Sequence, residues 1–339
     1  MTMSSTNPPS RTAGATSFWQ RHKDVMLLAG LFGLMVLGLL GLAAATGWSE
    51  TLDQFRKLSP LQVGALLGLS LANYFLRGVR WHLFARRLGL PTGLLQDVRH
   101  FIAGFAMSVT PGRVGELVRM RWLRRETGWS FERTAPLVLM DRASDLVAMA
   151  LILALGVTFS AAGIKGALPV TLLALGAACA ATRPRSLSII AGGLYRIIGR
   201  WPRLFVRVRR AARSLGRFTS PAILLPATGL GLIGWLTEGY AFHLLLVWMG
   251  ADIGFWTAIA IFIFATLAGG LTSAPGGVGG AEAAMVALLL LQNVPPEVAL
   301  PATLIIRVTT LWFAIGLGLA VFPFAERISN RERHALENR

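Results

Sequence analysis

Two short segments, TPGRVGE at residues 110–116 and APGGVGGAE at residues 274–282, carry most of the information in this chain. Each interrupts an apolar stretch with a Pro-Gly turn and ends on a glutamate. An arginine within a later apolar stretch follows each glutamate: Arg142 lies 26 residues after Glu116, and Arg307 lies 25 residues after Glu282. The shared order and spacing predict an internal repeat. Chance similarity of two Pro-Gly-rich turns is the alternative.

The composition is typical of a protein whose main solvent is lipid. The 339 residues are 54% hydrophobic and 14% charged, with a mean hydropathy of +0.59, whereas soluble domains carry about 25% charged residues. The apolar stretches are long enough for α-helical spans and unlike the short alternating strands of an outer-membrane barrel. The single cysteine, Cys179, excludes an intrachain disulfide, and the five histidines lack metal-ligand spacing. We therefore expect no metal and no cofactor.

The positive charge is distributed as a topology signal. The net charge of +17 lies mainly between apolar stretches, where Lys and Arg mark the cytoplasmic side and meet anionic lipid headgroups. Segments 77–125 and 183–217 hold ten arginines each. Placing both in the cytoplasm also places both termini there and predicts a multi-pass protein of the bacterial inner membrane. No nucleic-acid-binding module interrupts the spans, so a nucleic-acid partner is not expected.

These patterns predict an all-α integral membrane protein with about six full spans and two re-entrant helical hairpins. The hairpins, 98–123 and 255–291, would each break at a Pro-Gly turn and return to the side from which they entered. Hairpins entering from opposite sides form an inverted repeat, which places substrate binding at the repeat interface near the midplane. The full spans are expected at 25–48, 61–83, 137–159, 167–181, 222–248 and 299–324.

The domain organisation follows from these spans. Residues 1–24 are expected to form a disordered cytoplasmic tail, 25–325 the membrane domain and 326–339 a second cytoplasmic tail. The repeat halves cover about 61–160 and 221–325. Between them, the basic linker 183–217 alternates arginines with apolar residues, as amphipathic helices at a membrane interface do. Segment 167–181 is short for a span, so its crossing stays open.

Ionisable residues inside the apolar stretches are the candidate site, because charge at bilayer depth costs about 2.5–3.5 kcal/mol and needs a partner or a water-filled cavity. Arg142 and Arg307 would come from opposite halves, and two arginines suit an anionic headgroup such as a phosphate. A structural salt bridge between helices is the alternative for the charges of span 137–159. The candidate substrate-binding side chains are Arg113, Glu116, Asp141, Arg142, Asp145, Glu238, Glu282 and Arg307.

The two turns add backbone groups to the candidate site. Thr110 and Ser273 are suitable N-cap residues, so each turn is predicted to start a half-helix whose free N–H groups point to mid-membrane. Gly112, Gly276 and Gly277 would let a headgroup approach the backbone. Close helix packing is the alternative role for these glycines.

The first turn is followed by a run of arginines with two expected roles. Arg113 is expected to face the substrate because it lies within the turn itself. The arginines further along are expected at the level of the cytoplasmic headgroups, where they serve topology: Arg119, Arg121, Arg124 and Arg125.

The sequence resembles the lysylphosphatidylglycerol synthase transmembrane-region family. The resemblance rests on P-G-R-x-G-E at 111–116, D-R-x-x-D at 141–145 and a weaker glycine-rich motif at 275–282, and it extends from about residue 25 to 325. In larger members this region is similar to a flippase for aminoacylated phosphatidylglycerol and is fused to a soluble synthase domain. Stand-alone members are implicated in moving other lipids, including hopanoid- and polyprenyl-linked ones. The sequence is expected to be a stand-alone member without the soluble synthase domain, so the resemblance does not imply synthase activity.

The favoured hypothesis is a flippase-like lipid translocase that binds an anionic lipid headgroup at mid-membrane and meets anionic lipids at its cytoplasmic face. No P-loop, nucleophile elbow or zinc motif is present, so the chain is not expected to be an enzyme. Two alternatives stay open: an integral-membrane transferase acting on lipid-linked substrates, and an accessory subunit of a lipid-biosynthesis complex. A homo-oligomer is compatible with all three.

Overall fold

The computed structural model describes residues 56–108, 115–160, 167–182, 215–272 and 275–337, with a few isolated positions elsewhere. Every regular element within these ranges is a helix, which confirms the all-α class. Several predicted features lie outside the described residues: most of segment 1–55, the turn 110–114 and most of the basic linker 183–217.

The first half of the described chain contains α1 (Pro60–Leu88), α2 (Leu94–Ala103), α3 (Gly115–Thr127), α4 (Phe131–Phe159) and α5 (Ala167–Thr182). A capping box starts α1, since the side chains of Ser59 and Gln62 each accept a hydrogen bond from the other's backbone N–H. One 3-10 turn, Gly104–Met107, extends α2 toward the first Pro-Gly motif. The predicted hairpin 98–123 therefore consists of two helical arms.

The second half contains α6 (Pro221–Trp248), α7 (Phe255–Leu271), α8 (Gly280–Leu291), α9 (Pro296–Arg307) and α10 (Phe313–Glu337). A π-helical turn, Val308–Trp312, joins α9 to α10, so the predicted span 299–324 is helical throughout but not a regular α-helix. Within the described residues, the second predicted hairpin, 255–291, consists of α7 and α8 with a break between them.

The expected start of the second half-helix, just after Ser273, is wrong. Pro275–Gly277 form a 3-10 turn, and α8 begins only at Gly280. The backbone explains the delay, because Gly276, Gly277 and Gly279 have φ angles of 65°, 68° and 87°. Glycine adopts this left-handed conformation readily, but a right-handed helix cannot contain it.

Two helical stretches of the described residues are both long and apolar enough to cross a membrane, Pro221–Trp248 and Pro296–Arg333. Helices α1 and α4 have 29 residues each, about 43 Å at 1.5 Å per residue, which exceeds a hydrocarbon core of about 30 Å. They also carry buried charges, which lower their hydropathy. Length alone therefore allows four crossings in the described chain, while hydropathy supports two.

The apolar core lies where α4, α6 and α7 meet. It includes Ile152, Phe242, Leu245, Ile259 and Ile263, all with essentially no solvent exposure. A second cluster packs α1 against α2 through Trp81, Phe84 and Phe101. The apolar core and this second cluster meet along α1 and α6, which pack side by side. Helix α1 also packs against α4, so charged side chains of these two helices lie next to each other.

Gly318 allows α10 to lie directly against the turn that ends α2. A Cβ atom at this position would overlap the backbone nitrogen of Ala106 and lie 2.9 Å from the carbonyl carbon of Phe105. We expect Gly318→Ala to lower the free energy of unfolding by about 1–3 kcal/mol, because backbone must move to make room. The melting temperature of the purified protein in detergent measures this effect.

The matched control is Gly316→Ala in the same helix, where nothing lies within 4 Å of the added Cβ. This control is expected to be neutral or stabilising by up to about 1 kcal/mol, since alanine favours helix over glycine. Equal melting temperatures for the two variants would contradict the close packing of α10.

Candidate functional site

A cavity of about 430 Å³ is lined by residues from both halves of the described chain. The first half contributes residues of α1, α3, α4 and the turn after α2. The second half contributes residues of α6 to α10, the Pro275–Gly277 turn and the π-helical turn. Seven of the predicted site residues line it: Glu116, Arg142, Asp145, Glu238, Gly276, Gly277 and Arg307.

The other predicted site residues divide into two groups. Glu282 is buried behind Arg307, and Asp141 is buried one helical turn before Asp145 on α4. Neither lines the cavity itself. Gly112 and Arg113 lie outside the described residues.

Glu116 and Arg142 form the ion pair of the first half. The Nε of Arg142 donates to Oε1 of Glu116 at 2.5 Å, and its Nη1 lies 3.7 Å from Oδ2 of Asp145. The side chains of Arg142 and Glu116 are 34% and 20% exposed, and both line the cavity, so the pair is accessible from it. Glu116 stands in the first turn of α3, where a carboxylate also suits the positive end of the helix.

Glu282 and Arg307 form the corresponding ion pair of the second half. The Nε of Arg307 donates to Oε1 of Glu282 at 2.5 Å, and its Nη2 donates to the carbonyl of Gly276 at 3.0 Å. Glu282 also accepts the N–H of Gly279 at 2.6 Å, so it caps α8. One N–H group at this helix end, that of Gly279, is therefore already bonded within the chain. Both side chains are 7% exposed.

Two arginines of α1 that were expected only as topology signals, Arg77 and Arg80, belong to the site. Arg80 is fully buried, and its Nη2 donates to Oδ1 of Asp141 at 2.6 Å and to Oδ1 of Asp145 at 2.7 Å. Arg77 lines the cavity and donates to Oδ2 of Asp145 at 2.7 Å. Trp235 of α6 donates to Asp145 at 3.1 Å.

This network gives the aspartates of α4 different roles. Asp141 is a salt-bridge residue between α1 and α4, as the structural alternative predicts, while Asp145 also faces the cavity. The spacing of these residues in the sequence is compatible with this network. Arg77 and Arg80 are three residues apart and Asp141 and Asp145 four apart, so each pair occupies one face of its helix.

The placement of Arg119 at the headgroup level is wrong. Its residue exposure is 3%, and its Cζ lies 4.1 Å from the ring centroid of Phe101 and 5.4 Å from that of Trp81. Gly104 leaves room for it, because a Cβ there would overlap the Arg119 Nε. Among the described residues no carboxylate forms an ion pair with Arg119, although it lines the cavity.

Arg121 and Arg125 bind the C-terminal region. Glu326 of α10 accepts from Arg121 at 2.7 Å, from Arg125 at 2.5 Å and from the Trp122 indole at 2.7 Å. The segment predicted as a cytoplasmic tail from residue 326 therefore starts as a buried part of α10.

Glu238 of α6 is the cavity-lining carboxylate without a basic partner among the described residues. It is 5% exposed, and no described arginine, lysine or histidine forms an ion pair with it. Nearby, Tyr74 donates to the carbonyl of Thr310 in the π-helical turn at 2.5 Å. The cavity thus combines four lining arginines with three lining carboxylates, of which Glu238 stands apart.

A separate charged cluster joins α2 to α3 outside the predicted spans. Burial raises the pKa of the Asp97 carboxyl, against hydrogen bonds from His82 and Thr92. Burial would also raise the pKa of Glu126, but its hydrogen bond with His100 and the charges of His100 and Arg99 hold that pKa below its ordinary value.

The described residues contain no group of three or more histidine, cysteine or acidic side chains arranged to hold a metal ion.

Similarity to known proteins extends over all the helices that line the cavity. The family described as lysylphosphatidylglycerol synthase TM region matches residues 26–318, which include every cavity-lining residue. A UPF0104 membrane protein of Methanothermobacter thermautotrophicus is 25% identical over 331 residues, covering 90% of this chain and 96% of that protein. A further match, also to a UPF0104 membrane protein of that organism, is 34% identical over 110 residues and covers 32% of each chain. The predicted resemblance is confirmed: this chain belongs to the lysylphosphatidylglycerol synthase TM region family of helical membrane proteins.

Proposed function

We propose that this protein is a lipid translocase that binds an anionic lipid headgroup in the cavity while the lipid tails stay in the bilayer. The observation that carries the proposal is a cavity of about 430 Å³ lined by four arginines within a predominantly apolar chain. This volume falls within the range of about 300–1,000 Å³ that small-molecule sites occupy. Phe262, Leu267 and Leu271 line it as well and suit the start of an apolar tail.

The balance of charge favours a binding site over a lock between helices. Ion pairs that only hold helices together need no open space beside them, yet Arg77, Arg142, Asp145 and Arg307 all border the cavity. Buried charges in membrane helices usually face a partner or a water-filled path and mark substrate routes. A polar cavity is therefore the physical reason that such charges are tolerated here.

The proposal includes an inverted repeat with two re-entrant hairpins. Glu116–Arg142 and Glu282–Arg307 agree in order, in separation and in the Nε–Oε1 contact. Helices α7 and α8 have 17 and 12 residues, about 26 Å and 18 Å, which is short of a full crossing for each. The arginine distribution supports cytoplasmic termini in the bacterial inner membrane.

In the proposed mechanism the headgroup competes with the carboxylates for the arginines. Arg142 is the most accessible, and its planar guanidinium can bind two phosphate oxygens in parallel once Glu116 releases it. The two hairpins would then open alternately to either side of the membrane around the occupied cavity. Each ion pair re-forms when the headgroup leaves, so Arg142 and Arg307 each regain a carboxylate partner in the empty cavity.

Transbilayer movement of a fluorescent anionic lipid tests the proposal. The purified protein is reconstituted into liposomes containing acyl-labelled phosphatidylglycerol, and dithionite quenching measures how much label reaches the outer leaflet. We expect protein-dependent movement, slowed at least tenfold in Arg142→Gln, because lost charge-assisted contacts are worth about 1.5–3 kcal/mol.

The control is Arg124→Gln, a surface arginine of α3 that does not line the cavity. Folded wild-type protein that moves no anionic lipid would contradict the proposal. The proposal also treats the protein as a transporter and not as an enzyme. Formation of a new lipid product from a lipid-linked sugar by the purified protein would contradict that part and favour the transferase alternative.

A further inference from the structure

Arg119 differs from the other buried arginines around the cavity in its surroundings. Each of the others has a carboxylate within hydrogen-bond distance: Arg77, Arg80, Arg142 and Arg307. Among the described residues, Arg119 has none. The charges of Asp141 and Glu116 attract this guanidinium only from beyond hydrogen-bond distance. A buried guanidinium without a directly bonded carboxylate is costly, because its N–H groups lose the hydrogen bonds that water would offer.

Aromatic rings surround Arg119, and two of its three side-chain nitrogens have no hydrogen-bond acceptor. Its Cζ lies within 6 Å of the ring centroids of Phe101, Trp81 and Phe105, a range in which cation–π attraction is significant. The rings interact with the charge but accept no conventional hydrogen bond. Nε and Nη1 are buried and have no hydrogen-bond partner, while the side chain borders the cavity.

We propose that Arg119 forms an oxyanion subsite that binds the phosphate group of the headgroup, a phosphate monoester or diester. The inference rests on the proposed function, since it names the residue that recognises the substrate of the same cavity. A phosphate supplies what Arg119 lacks, a negative group in direct contact whose oxygens accept parallel N–H donors. Arg142 and Arg307 must first release their carboxylates, whereas Arg119 can bind a phosphate without breaking an ion pair.

Binding of short-chain lipids to the purified full-length protein in detergent tests the subsite. The probes are dihexanoyl phosphatidic acid, dihexanoyl phosphatidylglycerol, inorganic phosphate and dihexanoylglycerol, which has no phosphate. Ligand-induced shifts in melting temperature give each Kd. We expect saturable binding of both phospholipids, none of dihexanoylglycerol and weaker binding of inorganic phosphate. Equal affinity for inorganic phosphate and the phospholipids would assign the subsite to free phosphate and overturn its role in lipid recognition.

Two substitutions act on the guanidinium in different ways. Arg119→Met removes the charge and keeps the bulk, and we expect a Kd at least tenfold weaker with an unchanged or higher melting temperature in the absence of ligand. Gly104→Ala keeps the charge but displaces the guanidinium, because the new Cβ would overlap Nε and lie 3.1 Å from Cζ. It should weaken phospholipid binding as well. Arg124→Met, on the exposed side of the same helix, is the matched control.

Wild-type affinity for dihexanoyl phosphatidic acid in Arg119→Met would overturn the subsite. If Arg119→Met does not fold, wild-type affinity in Gly104→Ala would overturn it instead. The test is separable from that of the proposed function. Binding that depends on Arg119 without transbilayer movement would contradict the translocase and support the subsite. Transbilayer movement with a Kd that does not depend on Arg119 would support the translocase and contradict the subsite.

Discussion

Arg80→Met is expected to prevent accumulation of folded protein, whereas Arg86→Met in the same helix should accumulate normally. Arg80 is fully buried and is the partner of Asp141 within the described residues. Its loss leaves that carboxylate buried without a counter-ion, which costs about 3–5 kcal/mol. A domain has only about 5–15 kcal/mol of stability in total, so this single change removes much of it. Arg86 is exposed near the end of α1 and carries the same charge.

Size-exclusion chromatography and the melting temperature in detergent measure the effect. The double variant Arg80→Met/Asp141→Asn should recover a large part of the stability, because it removes the stranded carboxylate as well. Asp145 keeps Arg77 and Arg142 as partners in that double variant. An Arg80→Met protein as stable as the wild type, or a double variant less stable than the single, would contradict this account of the network.

The sequence showed that the aspartates of α4 need partners, but the spacing of Arg77 and Arg80 alone did not show that these arginines turn inward to meet them. Asp141 and Asp145 lie within span 137–159, and their short side chains need partners there. Arg77 and Arg80 lie in the last two turns of span 61–83, where the long side chain of an arginine either reaches the headgroups or turns inward. Which of these happens depends on the helix face that meets α4 and α6, and only the packed structure shows that face.

The burial of Arg119 was also not predictable from the sequence. It belongs to a run of arginines in α3, in which Arg124 is exposed and Arg119 is buried. The space for it comes from Gly104, a residue 15 positions earlier that no spacing rule connects with it. The sequence therefore predicted the glutamate and arginine of each ion pair, which share a fixed spacing, and missed the arginine that depends on a contact between separate helices.

The turn before α8 was predicted in kind but not in position. Composition and the Pro-Gly motif indicated a break between two helices, and Gly276 and Gly277 do line the cavity. The helix start moved to Gly280 because the backbone at Gly279 takes a positive φ. Glycine permits that conformation without requiring it, so the sequence alone left both starts open.

Glu282→Gln is expected to destabilise the protein far more than Glu116→Gln, although the two glutamates occupy equivalent positions in the motifs. The Glu282–Arg307 pair is almost fully buried, and glutamine leaves Arg307 with only the carbonyl of Gly276. We expect a loss of about 3–5 kcal/mol. The Glu116–Arg142 pair is partly exposed, and Arg142 keeps Asp145 at 3.7 Å, so about 1 kcal/mol is expected there.

The double variant Glu282→Gln/Arg307→Gln separates stability from transport. It removes both buried charges together, so its melting temperature in detergent should exceed that of Glu282→Gln, because no stranded guanidinium remains. Its movement of labelled phosphatidylglycerol in liposomes should stay low, because the cavity has lost one of its four lining arginines. Recovery of stability together with full transport would show that this pair only holds α8 against α9. Recovery of stability without transport would place Arg307 in the path of the lipid headgroup.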